Sequence, residues 1–147
     1  MSETRTLGTS RTLPYSSAEI YGAFASADLL AAWWGPEGFS NSFEVFEFVP
    51  GGRWKFVMHG PDGNSYINES KFEELVPNAR VVIKHDCPPH FTLTIELIPA
   101  GEGTQLTWSQ VFADAKTAQA VKARAGSANE QNIDRLTRVL AESTGAA

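Results

Sequence analysis

Through the middle of this chain apolar and polar residues alternate, and towards both ends the period changes to that of a helix. Trp54, Phe56 and Met58 interleave with Lys55, Val57 and His59, and Phe91, Leu93, Ile95 and Leu97 with Thr92, Thr94 and Glu96. Successive strand side chains point to opposite faces, so a period of two marks half-buried strands. On this basis strands are predicted from Phe39 to Val49, Arg53 to His59, Asn64 to Val76, Arg80 to Asp86, His90 to Ile98 and Thr104 to Phe112. A short polar strand from Thr4 to Pro14 precedes them. The turns between are marked by Pro50-Gly51-Gly52, Asp62-Gly63, Pro77-Asn78, Cys87-Pro88-Pro89 and Gly101-Glu102-Gly103. Gly51-Gly52 and Asp62-Gly63 are expected to supply the positive φ that a hairpin turn needs.

Helical spacing appears at Ile20 and Phe24, after a cap at Ser16 or Ser17 and with Glu19 in the first turn. A second short helix is expected from Asp28, carrying Leu29, Leu30, Trp33 and Trp34 until Gly35-Pro36 stops it. Adjacent residues cannot share one helix face, so one of the two tryptophans fills the core and the other rims something. Asp114 is expected to cap a helix through Ala125. Ser127 to Glu130 reads as a capping box, followed by an apolar face of Ile133, Leu136, Val139 and Leu140. Gly126 either breaks this helix or kinks it, and the tail from Ser143 is expected to fray. The order predicts an α+β fold: an antiparallel sheet of about six or seven strands curled around the C-terminal helix. Trp54, Phe56, Met58, Leu93, Ile95, Leu106 and Trp108 should face that helix.

Composition narrows the partners more than the chemistry. At 147 residues and 42% hydrophobic content the chain is expected to be one globular domain, residues 1–147. The net charge of -5 and the scattered Lys and Arg argue against nucleic acid. A single cysteine, Cys87, excludes an intrachain disulfide, and Met1 to Arg11 lacks a signal-peptide core. Both features predict a cytoplasmic location, and no stretch is apolar enough to span a membrane. His85-Asp86-Cys87-Pro88-Pro89-His90 holds the residue types of a metal site. One stiff turn cannot complete a four-ligand shell, however, and His59 lies a strand pair or more away, so neither metal nor cofactor is expected. No nucleophile constellation is visible around Ser65, Ser70 or Ser109, which leaves catalytic residues unassigned.

The blocks Trp33-Trp34-Gly35-Pro36-Glu37-Gly38-Phe39 and Pro50-Gly51-Gly52-Arg53-Trp54, with Met58 to Gly63 close behind, resemble bacterial proteins similar to the C-terminal domain of the activator of heat-shock protein ATPase. The Thr104 to Phe112 strand and the Ile133 to Leu136 helix segment extend the resemblance from about Arg11 to Leu140. It implies the START-like, or SRPBCC, helix-grip fold, often with an internal cavity. Relatives bind lipids, cyclise polyketides or assist chaperones, so no single activity follows. Family members often carry Gly-Trp where this chain has Ala128-Asn129, which implies a roomier or more polar interior here.

Alternation itself puts polar residues on the inner face. Tyr66, Asn68 and Ser70 fall in phase with Phe72, Gln110 with Leu106 and Trp108, and His85 with Val81 and Ile83, while Asn129 and Asn132 lie on or beside the helix stripe. Buried polar groups need partners. The expected site is therefore a pocket opening near the Trp33-Trp34 corner. Trp33, Phe43, Met58, Tyr66 and Trp108 would wall it, and Asn68, His85, Gln110, Asn129 and Asn132 would supply polar contacts. The function expected from this is binding of a small hydrophobic or amphipathic molecule by a monomer or homodimer. A co-chaperone-like or regulatory module, and a cyclase- or hydrolase-type enzyme, stand as alternatives. A chaperone partner is not favoured, because a chain of this length has no room for the N-terminal partner-binding domain of the eukaryotic activators.

Overall fold

The structure, a computed structural model, describes residues 5–87 and 90–143, with side chains for all of these except 123–126 and 143. After β1 (Thr6–Leu13) the chain turns into α1 (Ser17–Ala25). The entry is a capping box: the Ser16 hydroxyl accepts from the Glu19 amide at 3.1 Å, and the Glu19 carboxylate accepts from the Ser16 amide at 2.8 Å. Two amides that no helical carbonyl can serve are thereby satisfied. Ser26 ends α1 and caps α2 (Ala27–Trp33), so that helix begins one residue before the expected Asp28. Ile20, Ala23 and Phe24 are the buried stripe of α1, and Leu30 and Trp33 that of α2.

A meander follows: β2 (Ser40–Phe46), β3 (Arg53–His59), β4 (Ser65–Val76), β5 (Arg80–His85), β6 (Phe91–Ala100) and β7 (Gly103–Phe112). The seven strands form one sheet in the order β1-β7-β6-β5-β4-β3-β2, antiparallel throughout. Register shifts at Phe43/Val45 in β2 and at Phe72/Glu74 in β4 bend the sheet, as β-bulges do. Gly51 and Gly63 take the expected positive φ, 79° and 88°, but Gly52 does not. Glycine is required at Gly52 for space, because a Cβ there would collide with the Glu47 carbonyl.

The last element, α3 (Ala115–Ser143), is one 29-residue helix. Asp114 caps it, accepting from the Thr117 amide at 2.7 Å. It continues without a break through position 126, so the capping box expected at Ser127 does not form. The Ser127 hydroxyl instead accepts from the Gln131 side chain, and Glu130 turns to β1. There Glu130 and Asp134 each meet Arg11 at 2.6 Å, and Thr9 donates to Glu130 at 2.5 Å. A clamp to a strand more than a hundred residues away has displaced the local cap.

Ile133, Leu136 and Leu140 of α3 are buried with the concave face of the sheet. Of the residues expected to face the helix, Trp54, Phe56, Leu93, Ile95, Leu106 and Trp108 are at most 2% exposed, and Met58 is half-buried. Trp54 is stacked between Phe56 at 4.2 Å and Phe72 at 5.5 Å. Burying each such aromatic contributes about 1.5–3 kcal/mol. Among the described residues no helix is long and apolar enough to cross a membrane.

Candidate functional site

Strand register lines up the inward residues in rows, and one row changes character along its length. Phe112, Phe91, His85, Ser70, Trp54 and Phe46 face one another across β7, β6, β5, β4, β3 and β2. His85 and Ser70 put polar atoms in the middle of this aromatic row. The neighbouring row places Gln110 against Leu93 and Ile83. Facing these rows, α3 presents Ala128, Asn129 and Asn132, and between sheet and helix lies a half-open cavity of about 250 Å³. Trp34, Gly35 and Pro36 close one side, and Phe56, Met58 and Trp108 supply much of the apolar wall.

The Trp34–Pro36 loop is built from both directions. Trp34 is the C-cap of α2, its amide donating to the Leu30 carbonyl at 2.9 Å. Gly35 has φ 94°, and a Cβ there would press on the Met58 methyl; only glycine meets both demands without strain. From α3, the Asn132 side chain accepts from the Gly35 amide at 3.3 Å and donates to the Trp33 carbonyl at 2.8 Å. Arg135 then donates to the carbonyls of Ala32, Trp34, Gly35, Pro36 and Phe39, all between 2.8 and 3.1 Å. Burial pushes its pKa below the ordinary arginine value, with Glu37 pulling the other way. Outside it, Gln131 accepts from the Glu37 amide and Arg138 pairs with the Glu37 carboxylate at 2.7 Å.

The polar residues of the cavity bond largely to one another. His85 Nε2 lies 2.8 Å from Asn68 Oδ1 and 3.6 Å from Cys87 Sγ, with its ring stacked on Phe91 at 4.5 Å. Asn129 donates to Gln110 Oε1 at 3.2 Å. A thiol–imidazole–amide relay uses both ring nitrogens, one for the thiol and one for the amide. Here thiol and amide address the same nitrogen, so the trio does not form that relay. Among the described residues no three His, Cys, Asp or Glu side chains converge as metal ligands. Pro88 and Pro89 of the suspected loop lie outside the described residues, and His59 is hydrogen-bonded to Ser42 and Ser65.

Seven of the ten expected site residues line the cavity: Met58, Asn68, His85, Trp108, Gln110, Asn129 and Asn132. Three do not. Trp33 is wholly buried, its indole donating to the Ala23 carbonyl at 3.0 Å and its ring edge-on to Phe24. Its neighbour Trp34, the C-cap just beyond α2, is the rim residue. Phe43, on edge strand β2, packs on Phe46, Trp54 and Phe56. Tyr66 is 46% exposed beside Phe39, because β4 does not bury its inner-phase residues before Asn68. Arg135, the organiser of the loop, carried no sequence signal beyond its place in Ile133-Asp134-Arg135-Leu136.

A family model described as Activator of Hsp90 ATPase homolog 1-like protein matches residues 14–141. The chain belongs to this family. No curated protein sequence matches it. Solved structures agree on the START-like helix-grip fold. A protein from Nitrosomonas europaea is 23% identical at a TM-score of 0.85, covering 94% of this chain and 95% of that one. One from Arthrobacter aurescens is 19% identical at 0.87, covering 95% and 87%. An AHSA1-like protein from Aeromonas hydrophila is 16% identical at 0.76, covering 97% and 95%. At these identities the likeness concerns the fold. Within the AHSA1-like chain described above, the tryptophan loop and the Arg135 helix segment are one physical unit, joined by the bonds from Asn132 and Arg135.

Proposed function

We propose that this AHSA1-like chain binds a small hydrophobic or amphipathic molecule in the cavity between the sheet and α3. The observation that carries the reading is the 250 Å³ of space left beneath the Trp34–Pro36 loop, walled by aromatic and aliphatic side chains with a few polar groups among them. Binding sites have this composition: apolar area supplies affinity and a small number of polar atoms fix orientation. Met58, Asn68, His85, Trp108, Gln110 and Asn129 are the contacts in this reading, with Trp34 in place of Trp33. The family's description also points to chaperone activation. Docking on a large partner draws on a contiguous exposed apolar patch. Among the described residues Val49, Val76 and Ile98 are instead exposed at separate turns and strands, and Tyr66 and Ile67, consecutive in β4, point to opposite faces of the sheet. Ligand binding is therefore the leading reading.

Native mass spectrometry of freshly isolated protein, paired with Asn129→Trp, tests it. In a true cavity the indole has room, so the variant keeps or gains melting temperature while losing bound ligand or ligand-induced stabilisation. If Asn129 is instead packed, overfilling costs about 1–3 kcal/mol. A strongly destabilised variant, with no ligand on the wild-type protein, would refute the proposal.

A further inference from the structure

The polar inventory of the cavity narrows what can occupy it. Among its described lining residues none is Lys, Arg, Asp or Glu. Arg135, under the same loop, already serves five carbonyls. A carboxylate or ammonium entering such a site would lose its hydration and gain no fixed counter-charge from these residues, an exchange that costs several kcal/mol. His85, the one titratable group among the described lining residues, is engaged with Asn68 and stacked on Phe91.

Several neutral hydrogen-bonding atoms of the lining residues, the Ser70 hydroxyl among them, have no partner among the described residues. The Trp108 indole N–H is unpaired but sealed off from the cavity. The Trp54 indole is unpaired as well, but Trp54 is no part of this wall. Gln110 is only 9% exposed and accepts from Asn129 through Oε1, which leaves its Nε2 as a donor and Asn129 Oδ1 as an acceptor. The two bonded carboxamides thus keep one free donor and one free acceptor, the groups that complement an amide edge. The surrounding wall is flat and aromatic: Trp34 and Trp108 stack at 6.0 Å, and Phe56 and Phe91 contribute further faces. Size gives the last restriction. A cavity of about 150 Å³ takes one benzene, so this one admits roughly ten heavy atoms, the size of a fused bicycle.

We infer that the cavity selects an uncharged, planar, bicyclic aromatic molecule carrying a lactam-type edge, its carbonyl facing Gln110 and its N–H facing Asn129. The inference rests on the binding reading above and adds the ligand's charge, shape and polar edge. Polar groups left unpaired under a bound ligand are costly, and this ligand would satisfy both carboxamides at once.

Three probes of similar size separate the possibilities: naphthalene, 2-quinolone and quinoline-2-carboxylate, titrated at neutral pH against tryptophan fluorescence and checked by ligand-observed NMR. The lactam is expected to bind about tenfold more tightly than naphthalene, the value of one or two net hydrogen bonds. The carboxylate should bind at least about tenfold more weakly than the lactam. Gln110→Leu should collapse the lactam-to-naphthalene ratio towards unity, with Asn129→Leu as a second variant should the first fail to fold. Equal binding of naphthalene and 2-quinolone, or preference for the carboxylate, overturns the ligand class while leaving a binding cavity in place. No binding of any probe, together with a bare wild-type protein in native mass spectrometry, overturns the cavity reading and this inference with it.

Discussion

Arg135→Ala tests how the tryptophan loop is held, and its cost can be worked from the bonds. The two terminal nitrogens of Arg135 offer four N–H groups to five carbonyls at 2.8–3.1 Å, so some protons are shared. A hydrogen bond to a charged group contributes about 1.5–3 kcal/mol net. The guanidinium is only half-buried, so water screens it and competes for the same carbonyls. Taking one to two full bonds as the surviving contribution gives about 3 kcal/mol. For a chain of this size each kcal/mol moves the melting temperature by about 2–4 °C, so the variant should melt about 6–12 °C lower. Trp34 and Pro36 line the cavity, so near-ultraviolet circular dichroism and ligand affinity should change together. Arg138→Ala is the control: its pair with Glu37 is exposed, and its loss should leave the melting temperature almost unchanged. A shift below about 2 °C for Arg135→Ala, with the tryptophan signal intact, would refute the reasoning.

Two further changes probe the frame around the site. Gly52→Ala should destabilise by more than about 2 kcal/mol in urea unfolding, because the added Cβ meets the Glu47 backbone rather than a movable side chain; Gly63→Ala, with open space around it, should show only the milder strain of its positive φ. Glu130 titrates below its ordinary value, chiefly through the Thr9 hydroxyl and then Arg11. Its clamp therefore stabilises fully above the normal glutamate range and is lost as pH falls through the depressed native value. Urea midpoints between about pH 3 and 6 should fall more steeply for wild type than for Glu130→Gln, and parallel curves would contradict this.

The sequence by itself determined whatever a short window controls. The helix start at Ser16 with Glu19 in its first turn, the Arg53–His59 alternation, the positive φ of Gly51 and Gly63 and the Ile133, Leu136 and Leu140 stripe each depend on residues within one turn or one strand, and each formed as read. Period-two counting also placed Asn68, His85, Gln110 and Trp108 on the inner face, because a strand leaves a side chain no third direction. Only the tertiary structure decided the rest. Ser127–Glu130 had a complete capping signal, but Arg11 on β1 claimed the glutamate and α3 continued through it. Tyr66 shared the phase of Asn68 and lies exposed, since phase fixes a direction and not whether anything covers it. The choice between Trp33 and Trp34 turned on where α2 stopped against α1 and α3. Arg135 became an organiser because folding brought five carbonyls from about a hundred residues away within reach of one guanidinium. The cavity has the same origin: no residue encodes empty space, which exists only where helix and sheet meet without filling it.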